Sequence, residues 1–257
     1  MCLAVVAIDA HPRYVLVVAA NRDEFHARPT APAHWWEDRP AHTLLAGRDL
    51  DAGGTWLGIT PRGRWAFITN VREPGRRDIA APSRGGLVVR VLDDTRDAVT
   101  ALTHAQADTR YNGYNLIAGD VAQAAWMSNR VDAVHRLAPG VHGVSNARLD
   151  TPWPKLIRVK RGVATWLAAS DDDAQTLFRL LADPLKPSDA DLPSTGVPLE
   201  WERLLSSPFI VSPQYGTRSS TVLTITRDGD VTFRERTYDA AGNAAGDVVE
   251  RFALSAR

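Results

Sequence analysis

Two apolar runs at the start of the chain constrain its fold most. Residues 2–8 (CLAVVAI) and 14–20 (YVLVVAA) are rich in β-branched residues and are separated by Asp9-Ala10-His11-Pro12-Arg13. Neither run alternates polar with apolar residues, so neither strand has a face suited to water. The intervening segment reads as a turn, and the two runs read as a hairpin buried on both sides. Such a hairpin needs one layer packed above it and another below.

The remaining pattern supplies those layers. Residues 28–40 (RPTAPAHWWEDRP) read as a loop because of their prolines. Residues 53–59 (GGTWLGI) and 64–70 (RWAFITN) form a second hairpin around Thr60-Pro61-Arg62-Gly63. Residues 83–92, capped by Ser83, and 98–107 are predicted helices. Short strands at 114–118, 124–128 and 131–137 make a meander, and 140–146 is a strand end or turn. Helical periodicity returns at 153–169, and 171–182 opens on acidic residues, as helices favour. A proline-rich surface loop covers 184–198. Strands at 219–226, 230–238 and 248–254 close the chain, the first two joined by Asp228-Gly229. The order strands, helices, strands, helices, strands predicts one α+β domain over 1–257, with antiparallel sheets covered by helices on both outer faces.

Charge and composition exclude several functions. Lys plus Arg equals Asp plus Glu at 30 each, which leaves no electrostatic footprint for nucleic acid. No stretch is long and apolar enough for stable membrane insertion, and no secretory leader is visible, so a soluble, cytoplasmic protein is expected. One cysteine forbids an internal disulfide and a cysteine-rich zinc site. The seven histidines form no HxH or HxxxH pair, so no metal site and no resident cofactor are expected. His104, His135 and His142 lack an acidic partner that the sequence can place.

The single cysteine stands at position 2. A thiolate is a strong nucleophile that needs a base. A cysteine at a mature N-terminus carries one, its own α-amino group. Loss of Met1 would put Cys2 there; otherwise Cys2 reads as a small buried hydrophobe. Asn21-Arg22-Asp23-Glu24 end the strand paired with the Cys2 strand, so residues near 21 lie roughly across from residue 2. Arg22 would favour the thiolate, and Asp23 would orient the amine or take its proton. Read alone, the same tetrapeptide is equally a solvated loop with a surface ion pair.

The Met-Cys start and the N-R-D-E tetrapeptide resemble the NRDE family, which includes the eukaryotic transport and Golgi organisation protein 2. So do GGTWLGI at 53–59, Thr69-Asn70, SRGGL at 83–87, YNGYN at 111–115, GVHGVSNARLDTPWPK at 140–155 and YGTRSSTVL at 215–223. The resemblance implies an N-terminal-nucleophile hydrolase fold, a four-layer αββα sandwich of antiparallel sheets. Cysteine members of that superfamily cleave non-peptide amides. It further implies Cys2 as nucleophile, Arg22 and Asp23 beside it, Asn70 and Asn146 as oxyanion donors, and Arg218 as the late arginine. The Arg22–Asp23 spacing departs from the acylase pattern, and Asn21 is an alternative match for one polar position. Trp56 and Asn21 are candidate substrate contacts. The expected partner is a small molecule. The resemblance leaves open a non-catalytic binding or trafficking protein for haem, acyl-CoA or lipid on the same scaffold. Arg72, Arg76, Arg77 and Arg84 are a candidate anion-binding loop.

Overall fold

The computed structural model describes residues 3–38, 43–169 and 173–255. Strands β1 (Leu3–Ile8) and β2 (Tyr14–Phe25) form the expected hairpin, in the register Leu3 opposite Asn21 and Ala4 opposite Ala20. β2 is longer than expected and runs straight through Asn21-Arg22-Asp23-Glu24. It does so because β11 (Tyr215–Thr226) pairs along its whole length, from Phe25 opposite Tyr215 to Tyr14 opposite Thr226. Adding β10 (Gly140–Val144), β12 (Asp230–Tyr238) and β13 (Ala244–Ala253) gives a six-stranded sheet ordered β10-β1-β2-β11-β12-β13.

The second sheet has seven strands in sequence order: β3 (Thr30–Trp35), β4 (Leu45–Asp49), β5 (Leu57–Ile59), β6 (Trp65–Asn70), β7 (Tyr114–Gly119), β8 (Ala124–Ser128) and β9 (His135–Arg136). Two of its strands depart from the sequence reading. The proline-rich segment is not a loop: it forms β3, an edge strand, where Pro32 removes no ladder hydrogen bond from a central position and a register shift separates Ala31 from His34. β4 was not expected at all. Both sheets are antiparallel throughout.

Helices α1 (Gly85–Asp93) and α2 (Ala98–Gln106) cover the outer face of the seven-stranded sheet, with Leu87, Val88, Val91 and Leu102 packed on Ile68, Leu116 and Met127. Ser83 does not occupy the cap position, which Arg84 takes without a side-chain bond; the Ser83 hydroxyl only reaches the Gly85 N–H at 3.4 Å. Asp97 caps α2 by accepting from the Val99 and Thr100 N–H groups. On the other side, α3 (Pro154–Ala168) starts on a proline, which suits a first helical position, and sets Leu156, Val159, Val163 and Trp166 on Leu3, Val5 and Val17. α4 (Ala174–Leu181) lies beside it with Leu177, Phe178 and Leu181 buried. A short α5 (Leu199–Leu204) follows the proline-rich loop. Between the sheets sits a third core: Ala4, Val6, Leu16, Val18, Ala20, Leu223, Ile225, Val231 and Phe233 against Leu45, Trp56, Ile59, Trp65, Phe67 and Ile117. The layer order is therefore α, β, β, α. Among the described residues no helix is long and apolar enough to cross a membrane.

Candidate active site

Strand alternation assigns each polar residue a face. Even-numbered residues of β1 and β2 (Ala4, Val6, Leu16, Val18, Ala20) point between the sheets, and odd-numbered ones (Leu3, Val5, Val17, Ala19) point at α3 and α4. Arg22 follows Ala20 on the inter-sheet side. Its guanidinium lies 4.3 Å over the Trp56 ring, and the residue is only 4% exposed. Its Nη1 is buried with no hydrogen-bond partner among the described residues. Burial lowers the pKa of Arg22 from its ordinary value, while Glu24 and Asp49 act at longer range to raise it.

Asn21 and Asp23 lie on the opposite face. Asn21 is fully buried, and its side-chain amide is committed to the fold. Nδ2 donates to Leu181 O at 2.8 Å and Pro208 O at 2.9 Å, while Oδ1 accepts from Ser220 Oγ at 2.6 Å. It ties the sheet to the end of α4 and to the segment at Pro208. Asp23 Oδ1 accepts from Thr217 Oγ1 at 2.7 Å, and Thr217 Oγ1 accepts in turn from the Ile210 N–H. Arg22 and Asp23 are thus neighbours in sequence that address different layers.

The structure brings Asn70 and Asn146 together. Asn70 ends β6 in one sheet; Asn146 lies just beyond β10 in the other. Asn146 Nδ2 donates to Asn70 O at 3.0 Å, and Asn146 O accepts from the Arg72 N–H at 2.8 Å. Asn115, on β7, steadies this junction by donating to Thr69 Oγ1 and Ala147 O. Ala4 pairs with Val144 on one side and with Ala20 on the other. Asn146 and Arg22 each lie two residues further on, so they flank the line along which β1 runs toward its N-terminus. Cys2 lies outside the described residues.

Arg218 is the extra residue of a bulge in β11, between Thr217 opposite Asp23 and Ser219 opposite Arg22. Its Nη1 donates to the carbonyls of Phe25, His26 and Arg28 at 3.0–3.2 Å. Arg218, Trp56 and Ser219 line a cleft of about 220 Å³ with Thr30, Thr237 and Glu235. Glu235 was missed in the sequence. It is 1% exposed, its Oε1 accepts from the Ala33 N–H at 2.7 Å, and its Oε2 lies 3.4 Å from Thr221 Oγ1. Burial pushes its carboxyl up to about 7 against the pull of these hydrogen bonds and of Arg22. The signal for it was the period of two: Val231 and Phe233 are inward on β12, so Glu235 is inward too.

The remaining candidates fall apart in space. Arg72 forms a buried ion pair with Glu202 of α5 at 2.6 Å and stacks over Trp153; Arg84 donates to Gly113 O. Arg76 and Arg77 are exposed, so the four arginines do not make one anion loop. His142 does have an acidic partner, Asp150 at 3.2 Å, whose hydrogen bond raises the histidine pKa. It stands opposite Val6, well down the strand from Asn146.

The family described as Transport and Golgi organisation 2 matches residues 1–240. The Transport and Golgi organization protein 2 homologs of Bos taurus and Homo sapiens are 36% and 35% identical to this chain, over 92% of each sequence. The Drosophila melanogaster protein of that name is 26% identical over the same share. The chain belongs to this family. Among solved structures, a Caenorhabditis elegans N-acylethanolamine-hydrolyzing acid amidase ortholog matches with a TM-score of 0.51 at 13% identity, over 86% of this chain and 92% of that one. The C2A mutant of conjugated bile acid hydrolase from Clostridium perfringens matches with a TM-score of 0.50 at 11% identity, over 99% and 97%. At these identities the likeness concerns the fold alone, a four-layer αββα sandwich of antiparallel sheets.

Proposed function

We propose that this member of the Transport and Golgi organisation 2 family is a cysteine N-terminal-nucleophile hydrolase of a non-peptide amide or acyl thioester, with Cys2 as nucleophile once Met1 is removed. One observation carries the reading: a buried arginine on the inter-sheet face, whose Nη1 has no hydrogen-bond partner among the described residues, and Asn146 each lie two residues past the strand partners of Ala4, at the N-terminal end of β1. Continuing both registers by two residues from Ala4 would set position 2 between Arg22 and Asn146. A buried guanidinium without a carboxylate in contact is costly unless an anion comes to it. A thiolate at position 2 would be that anion.

The chemistry then runs as follows. The α-amine takes the Cys2 thiol proton, and Sγ attacks the carbonyl carbon of the substrate. The carbonyl electron pair moves onto oxygen, and N–H donors at the Asn70–Asn146 junction stabilise it; Asn146 keeps a second Nδ2 hydrogen beside the one given to Asn70 O. Collapse expels the amine or thiol with the proton from the α-ammonium, leaving an acyl-thioester on Cys2. Water attacks that ester, returning the thiol and releasing the acid. Asp23 holds the sheet geometry behind Arg22 through Thr217. The two solved structures that share the fold are named as an acid amidase and a conjugated bile acid hydrolase, which supports the hydrolase reading. The reading sets the protein in the cytoplasm, where a lone thiol stays reduced.

The test is turnover of a panel of N-acyl amides and acyl thioesters. The parent protein is expected to turn over at least one, and a folded Cys2→Ala variant none. A folded Cys2→Ser variant with full turnover would rule out thiol chemistry. No turnover, combined with saturable haem or acyl-CoA binding that needs Cys2, would instead support a binding and trafficking role.

A further inference from the structure

The cleft beside Arg22 has a composition that the hydrolysis chemistry does not use. Its floor is the inter-sheet face of β11 and β12, where apolar rows (Leu223 and Phe233, Ile225 and Val231) give way to Thr221 and Glu235, then to Ser219 and Thr237. Thr30, Ala31 and Pro32 form one wall and Trp56 another. Arg218 also lines the cleft. Its bonds are to carbonyl oxygens, and among the described residues it forms no ion pair. Arg22 lies behind the wall, stacked on Trp56.

We propose that this cleft is a recognition site for a small carboxylate-bearing ligand, held between the Arg218 guanidinium and the Glu235 carboxyl with Ser219 and Thr237 on its flank. With Nη1 given to the three carbonyls, Nε and Nη2 of the planar guanidinium are the paired donors suited to the two oxygens of a carboxylate. Glu235 contributes in its neutral form, because burial pushes its carboxyl up to about 7. A carboxylic acid facing a carboxylate donates one strong hydrogen bond; an ionised Glu235 would repel the same ligand. The charged groups facing Glu235 are Arg22 from β2, Arg218 from β11 and Glu250 from β13, whose Oε2 is engaged by the Trp35 indole N–H. β3 and Trp56 bring no charge to this face. A cleft of about 220 Å³ holds a compact acid rather than a long chain. The inference stands on this geometry, supported by the raised Glu235 pKa, and does not require Cys2 to be reactive.

Binding therefore couples to protonation of Glu235. The ligand favours the protonated carboxyl, so affinity falls as pH rises through 7. The experiment is isothermal titration of the full chain with butyrate and with butyramide, its uncharged counterpart, at pH 6 and pH 8. Butyrate is ionised at both. Butyrate is expected to bind saturably, at least tenfold tighter than butyramide at pH 6, and about tenfold weaker at pH 8 than at pH 6. Glu235→Gln keeps an acceptor for the Ala33 N–H and a donor for the ligand; it is expected to bind butyrate equally at the two pH values. Arg218→Gln is expected to lose the preference for butyrate over butyramide. Equal binding of the two probes, no saturable binding of either, or an unchanged pH dependence in Glu235→Gln would overturn the proposal. Turnover by Cys2 is decided separately, by the amide and thioester panel.

Discussion

Arg22 and Glu235 put a cation and a carboxyl into the same inter-sheet space without joining them in an ion pair. For Arg22 that arrangement gives up stability for a poised charge. Replacing it by an apolar side chain of similar length removes the desolvation cost. Arg22→Met is expected to unfold in urea with a free energy within about 1 kcal/mol of the parent, or above it, while losing activity. A loss of 3 kcal/mol or more would mean that the arginine has a structural partner. Glu235 carries the opposite lesson. Its folded pKa of about 7 exceeds the ordinary 4.5, so the folded protein keeps a proton that the unfolded chain gives up. Stability therefore falls as pH rises from about 4.5 and is fully reduced above 7, by on the order of 3 kcal/mol. Glu235→Gln abolishes this term, and its stability relative to the parent is expected to rise between pH 5 and pH 8 in parallel urea titrations. A constant difference would show that Glu235 is ionised in the folded state. Arg22, Asn70, Asn146 and Arg218 were legible as candidates because each stands in a polar motif that interrupts an apolar run. Glu235 was not, because Arg234 and Arg236 on either side make its strand look solvated, and only the period of two betrays the inward face.

At the scale of elements, two glycines connect the second sheet to the site. A Cβ on Gly47 of β4 would stand 2.3 Å from Trp56 Cζ2, so the ring under Arg22 needs that glycine. A Cβ on Gly54 would stand 2.4 Å from Gly85 C, where the chain before β5 meets the start of α1 backbone to backbone. These contacts give the GGTW and SRGG stretches a packing reason. Gly47→Ala is expected to cost about 1–3 kcal/mol through overpacking, and to lower turnover by displacing Trp56. Unchanged stability and unchanged activity together would mean that the Trp56–Arg22 stack is dispensable. Helices α1 to α4 and the first hairpin were readable from apolar spacing, though Arg84 rather than Ser83 stands at the start of α1, and α5 was not expected. β3 and β4 were not, since an edge strand accepts the proline and the bulge that mark a loop elsewhere. The extension of β2 through N-R-D-E was hidden for a different reason. It is dictated by pairing with β11, nearly two hundred residues away, and no local pattern encodes that partner.

Across the whole molecule, three apolar layers explain why the N-terminal runs have no polar face: one side of the hairpin meets α3 and α4, the other meets the second sheet. Among the described residues, the inter-sheet layer is apolar along most of its length and turns polar at the end where Arg22 and Ser219 pair in one sheet and Thr69 and Asn115 in the other. Under the proposed function, that gradient sets the reacting groups at one end of the sandwich, as pre-organised catalysis requires. The αββα order could be reasoned from the sequence because strands buried on both faces demand it. The register that aligns Arg22 with Asn146 could not, because it depends on pairings between distant segments. The central claim is that Cys2 acts from the N-terminus, and intact mass spectrometry of protein expressed in a bacterial cytosol tests it most directly. The expected mass lacks one methionine, which frees the Cys2 amine as its own base. A mass that retains Met1 throughout would leave the thiol without that base and contradict the account.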